Sequence, residues 1–178
     1  MTCFKPTLTR LAARAAVATA LGLSTHARAA ESSYEMIAYI ESPSGMLVAA
    51  GEYARAIDLA TKRLRGGPED LLVEHTSLCV AYTATHDYAN ARSSCDAALV
   101  LAREVDARSA PRAFHAGSET AKAMTNRGVL KALIGDVPGA YDDFTGAMAM
   151  SRALDAPERN LARIDDAKTD RLAMTEAR

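Results

Sequence analysis

Cys79 and Cys95 carry the most reactive side chains of the chain's central stretch, and His75 stands one helical turn before Cys79. The two cysteines flank the turn His86-Asp87 and so fall on the two antiparallel helices of one hairpin. Three chemistries are open to them. In an oxidising compartment, cysteines on facing helices can form a disulfide if their Cα atoms come within about 7 Å. They can instead stay buried as free thiols. With His75 on the same helix face, they could also give three ligands of a zinc site, although no fourth ligand stands out. The third cysteine, Cys3, lies near the start and belongs to a different argument.

Elsewhere the titratable residues do not gather into a recognisable constellation. His115 is isolated in sequence from any partner. Asp142 and Asp143 read as helix-surface charges that could pair with Arg127 or Lys131 across a hairpin, each exposed pair contributing about 0–1 kcal/mol. There is no glycine-rich phosphate loop after a strand, no His-Glu-x-x-His and no nucleophile elbow. The expectation is a protein without a catalytic centre and without a cofactor or resident metal.

The elements that position these residues are announced by a phrase that recurs three times. It reads Gly51-Glu52-Tyr53-Ala54-Arg55-Ala56-Ile57, then His86-Asp87-Tyr88-Ala89-Asn90-Ala91-Arg92, then Gly135-Asp136-Val137-Pro138-Gly139-Ala140-Tyr141. The first two copies are 35 residues apart and the last two 49. A unit of about 34 residues with an insertion of roughly 15 before the last copy accounts for both intervals. Gly followed by an acid is the chemistry of one helix stopping in a left-handed residue and the next being capped. His86 takes the glycine's place in the second copy, at the cost of mild strain.

Ala56, Ala91 and Ala140 recur where two helices approach closely, and Gly128 is the facing small residue in the third hairpin. Ala140 and Phe144 with Ala147, Ala91 with Cys95 and Ala98, and Ala56 with Ala60 and Arg63 repeat one pattern, to which the first copy adds Pro68 and the third Asn126-Arg127-Gly128. In these features the chain resembles the tetratricopeptide repeat family over roughly residues 45 to 155. The resemblance implies an all-α array of about three helical hairpins, near 45–70, 71–107 and 118–153, followed by a capping helix and tail over 156–178. In the first unit Ser42-Pro43-Ser44-Gly45 falls where a helix should run, so that helix is expected to be short, from about Gly45 to Ala50. Arg103 replaces the closing proline of the second unit, which lets one long helix run from Asp87 to about Val105. In the insertion, Arg108 to Gly117, Pro111 and Gly117 break the chain and Ser118 is an N-cap for a helix to about Leu133.

The family's inner surface is lined by first helices. By resemblance the groove here would offer Val73, Thr76, Ser77, Val80 and Thr83, then Lys122, Thr125, Asn126 and Val129. Only Lys122 and Asn126 suit the basic clamp with which some members grip a peptide C-terminus. An extended or helical peptide segment is the better expected ligand. Ahead of the array, residues 30–44 are expected to form either a loose linker or, the preferred reading, a packed segment in which Tyr34 to Ile40 lies along the first hairpin as a half-buried helix or an extended strip.

Residues 1–29 hold Lys5, Arg10, Arg14 and Arg28 and no acid, with an apolar run from Ala15 to Leu23 and the small-x-small triplet Ala27-Arg28-Ala29. This is the layout of a secretory signal peptide cut near Ala29, and Cys3 would leave with it. Cleavage takes the net charge from −1 to 17 basic against 22 acidic side chains, or −5. Such a balance gives no reason to bind nucleic acid, and no later stretch is apolar enough for a transmembrane anchor. The expected protein is an exported, periplasmic or secreted scaffold that binds a protein or peptide segment. The alternatives are self-association around Tyr34 to Ile40 and a thiol–disulfide role for Cys79 and Cys95.

Overall fold

Each copy of the repeated phrase builds the same turn. In the computed structural model, which describes residues 34–67, 70–109 and 117–176, Gly51, His86 and Gly135 have φ of 74°, 61° and 85°. The next residue then closes the preceding helix by donating its N–H back along the chain, Glu52 to Leu47, Asp87 to Tyr82 and Asp136 to Lys131, each at 2.9 Å. Asp87 and Asp136 go on to cap the following helix, accepting from the backbone N–H of Asn90 and Gly139. In the first copy the acid does not cap: the Glu52 carboxylate pairs with Arg55 instead of a backbone N–H, because its longer side chain reaches past the first turn. The phrase thus stops the first helix in all three copies and caps its antiparallel partner in two.

The result is all-α among the described residues: α1 (Pro43–Ala49), α2 (Tyr53–Arg65), α3 (Leu71–Ala84), α4 (Tyr88–Arg108), α5 (Ser118–Leu133), α6 (Val137–Met150) and α7 (Ala156–Glu176). Three hairpins, α1/α2, α3/α4 and α5/α6, stack in chain order, and α7 packs on α5 and α6 to close the far end. The first helices α1, α3, α5 and α7 touch one another in sequence, whereas among the described residues α2, α4 and α6 do not. That asymmetry makes the first helices the inner layer of a stacked array. The expected leader 1–29, Pro68, Pro111 and His115 lie outside the described residues.

Packing follows the small residues. Ala56, Ala91 and Ala140 are wholly buried, as are Ala60, Cys95 and Phe144 in the matching places one turn on. A Cβ on Gly128 would stand 2.6 Å from the Phe144 ring, so only glycine admits the aromatic there. α3 is buried around almost its whole circumference, which suits a helix enclosed by α1, α2, α4 and α5.

Two local expectations change. Ser42-Pro43 does not interrupt the first helix but starts it: Ser42 Oγ accepts from the Gly45 N–H at 2.9 Å, and Pro43 occupies the first turn, where a missing N–H costs nothing. Ser118 is not the cap of α5. Gly117, at φ 83°, precedes the helix, and the cap comes from α4, whose Asp106 carboxylate accepts from Thr120 N at 2.8 Å and Glu119 N at 3.4 Å.

Candidate functional site

The inner face of the array holds an extended segment of the chain itself. Tyr34 to Tyr39 runs without secondary structure across the first helices, and every one of these residues is half-buried. Two asparagines grip its backbone. Asn160 on α7 accepts from the Glu35 N–H and donates to the Glu35 carbonyl, both at 2.8 Å. Asn126 on α5 does the same to Ile37, at 2.7 and 2.8 Å. A carboxamide carries a donor and an acceptor side by side, so it satisfies both polar groups of one extended residue at once. Residues two apart along an extended chain present these groups to the same side, which is why successive first helices engage Glu35 and Ile37.

The side chains of the strap add apolar and charged contacts to this grip. Tyr34, Met36 and Ala38 pack on the apolar clusters of the hairpins, and Met36 alone touches three of them, formed around Val80, Leu130 and Val129. Glu35 meets Arg159 at 2.7 Å and Arg163 at 3.1 Å, both on α7. The Arg159 guanidinium, and behind it Arg163, holds the Glu35 carboxyl below its ordinary value. Tyr39 packs on the cluster of Leu72, Leu99 and Ala123, with Lys122 Nζ 5.1 Å from its ring centre and its hydroxyl bonded to Glu119. Burial, and then that carboxylate, push the Tyr39 phenol upward, so it remains a donor.

The residues expected to line the groove divide into two groups. Val80, Lys122, Asn126 and Val129 lie against the strap. Thr83 and Thr125 turn their hydroxyls onto the carbonyls of Cys79 and Ala121 in their own helices, and Ser77 bonds Ser44 of α1 at 3.1 Å. Thr76 is buried, and Val73 borders a cavity of about 300 Å³ beside Tyr39, Arg63 and Glu74. Glu74 is 1% exposed and bonded to Arg63 through one oxygen.

Asn160, Glu35, Arg159 and Arg163 do not stand out as site residues in the sequence. One signal is present there: Asn160 follows Asn126 by 34 residues, one repeat length.

Cys79 and Cys95 are joined by a disulfide, with Cα atoms 4.7 Å apart, and both residues are buried. The bridge ties α3 to α4; closing a loop of this length contributes about 3 kcal/mol in the chain-entropy view. His75 is not gathered with them into a ligand set, and among the described residues no cluster of three or more His, Cys, Asp or Glu could hold a metal ion. Burial lowers the His75 imidazole, whose Nδ1 makes no hydrogen bond.

Asp143 is not the surface charge expected of it. It is 3% exposed and receives Arg127 at 2.7 and 2.9 Å and Lys131 at 2.9 Å, while Asp142 stays exposed. Arg127 also reaches Asp96 of α4, so the cluster joins the second and third hairpins. No helix among the described residues is long and apolar enough to cross a membrane. No family model, curated protein or solved structure matches the chain.

Proposed function

We propose that this is an exported array of the tetratricopeptide type, a non-enzymatic scaffold that binds an extended segment of a partner protein along its first helices. The observation that carries the reading is the paired grip of Asn126 and Asn160 on extended backbone. Main-chain hydrogen bonds of this kind hold a peptide regardless of its sequence, and flanking contacts then select among peptides. The buried position of the Cys79–Cys95 bridge favours a staple over thiol exchange with a partner. Export to the periplasm agrees with that oxidised pair and with the leader-like residues 1–29.

The test is binding of an array of extended peptides to the mature protein and to a double variant, Asn126→Ala with Asn160→Ala. Binding that is lost in the double variant, with its helical circular dichroism retained, supports the reading. Undiminished binding in that variant would move the partner surface elsewhere and overturn it.

A further inference from the structure

Residues 34–39 are held by contacts that an extended ligand could also make: side-chain amides on its backbone, apolar clusters under alternate side chains and charged groups at its ends. No residue of the segment is fully buried, the backbone of Glu35 and Ile37 is held by side-chain amides of α7 and α5, and the Tyr39 carbonyl accepts from the N–H and hydroxyl of Ser42 in the turn that leads into α1. Ile40, at the start of that turn, is 59% exposed. A segment seated in this way displays the specificity of the groove beneath it.

We propose that the groove takes, in trans, an extended peptide with the strap's own chemistry: an acidic residue, a long apolar residue directly after it, and a tyrosine three residues beyond that, in competition with the strap. This rests on the groove reading given above and names the ligand class. The acid is read by Arg159 and Arg163, which reach it from successive turns of α7. The apolar residue is read where Met36 bridges three hydrophobic clusters, a site that asks for length and flexibility rather than a fixed shape. The aromatic is read twice, by Lys122 over its face and by Glu119 at its hydroxyl, so phenylalanine would satisfy only half of the site. Between them the Asn126 and Asn160 amides hold two alternate residues of the backbone, each accepting from an N–H and donating to a carbonyl of the same residue, while the acid at one end and the tyrosine at the other set direction and register.

Competition follows from the tether. The turn at 40–42 keeps the strap at an effective concentration near millimolar or above, so a partner must present a better copy of the pattern, or must meet a chain whose strap has been released.

A cut chain tests this directly. A specific protease sequence is inserted between Ile40 and Glu41, the folded mature protein is cleaved there, and a labelled peptide of residues 34–41 is titrated against it by fluorescence anisotropy. The expected result is that the upstream fragment stays bound after cleavage and exchanges with the labelled peptide. Peptides carrying Glu35→Lys or Tyr39→Ala should bind about tenfold more weakly, and the uncut protein should bind the labelled peptide least. Exchange without discrimination between the unsubstituted peptide and the one carrying Glu35→Lys would overturn the assigned chemistry and leave the groove reading standing. Loss of helical structure when the fragment departs, or a fragment that never exchanges from the folded cut chain, would make the strap part of the core and overturn both.

Discussion

A single carboxamide decides how the strap is held. In Asn160→Ala the Glu35 N–H and carbonyl lose their partners in a half-buried place, for a cost of about 1–3 kcal/mol. Asn126→Ala should do the same at Ile37. Hydrogen exchange at the Glu35 and Ile37 amides is the sensitive measurement: each variant should speed exchange at its own site, with a smaller shift in the urea midpoint. Gly128→Ala acts on packing instead. A methyl 2.6 Å from the Phe144 ring must push the ring aside, and overpacking of this kind costs about 1–3 kcal/mol, visible as a lower thermal midpoint. Phe144→Leu in the same chain should recover part of it. Asn126 and Gly128 are legible in the sequence because Asn126-Arg127-Gly128 resembles a first helix of the tetratricopeptide repeat, with Gly128 as the small residue facing the second helix. What Asn126 binds is not legible there, since its partner Ile37 is 89 positions away and carries no periodic mark.

At the scale of elements, the helices are written in the chain and their caps only in part. The His86-Asp87 and Gly135-Asp136 phrases encode whole turns, because left-handed backbone and an acceptor side chain are local demands, whereas Gly51-Glu52 encodes only the stop. Ser42-Pro43 reads equally as a breaker, since proline forbids a helix interior yet favours its first turn, and only the Gly45 N–H bonded to Ser42 reveals which applies. The cap of α5 cannot be read from its own neighbourhood at all, because Asp106 lies on the other side of the insertion. That borrowed cap predicts coupling between helices. Asp106→Ala should lower stability by about 1 kcal/mol in chemical denaturation, and it should speed hydrogen exchange in the first turn of α5 while leaving the start of α6 unaffected. A change confined to α4 would show that the bond to Thr120 is incidental.

At the scale of the whole molecule, the strap is the one element among the described residues that reaches from the first hairpin to the capping helix, so its attachment should respond to solution conditions as a unit. Its acidic anchor sets the direction of the pH response. Glu35 has its carboxyl lowered by the Arg159 hydrogen bonds from an ordinary 4.5, so the folded state releases this proton more readily than the unfolded chain does. The contribution of the pair is therefore complete above 4.5 and is lost as the pH falls through the lowered value. It is small, because Arg159 is 51% and Glu35 36% exposed and salt screens them. His75 responds over a different interval. Its depressed imidazole disfavours the folded state progressively as the pH falls below 6.5, so a global melt at acid pH mixes the two effects. Subtracting the profile of Glu35→Gln from that of the unsubstituted protein isolates the anchor. The difference in the logarithm of the protection factor at the strap amides, which removes the intrinsic pH dependence of exchange, should be flat above about pH 5, and should shrink below it as Glu35 takes up its proton. A difference that persists undiminished at about pH 2, well below the ordinary carboxylate range, would mean that the Glu35 charge plays no part in holding the strap.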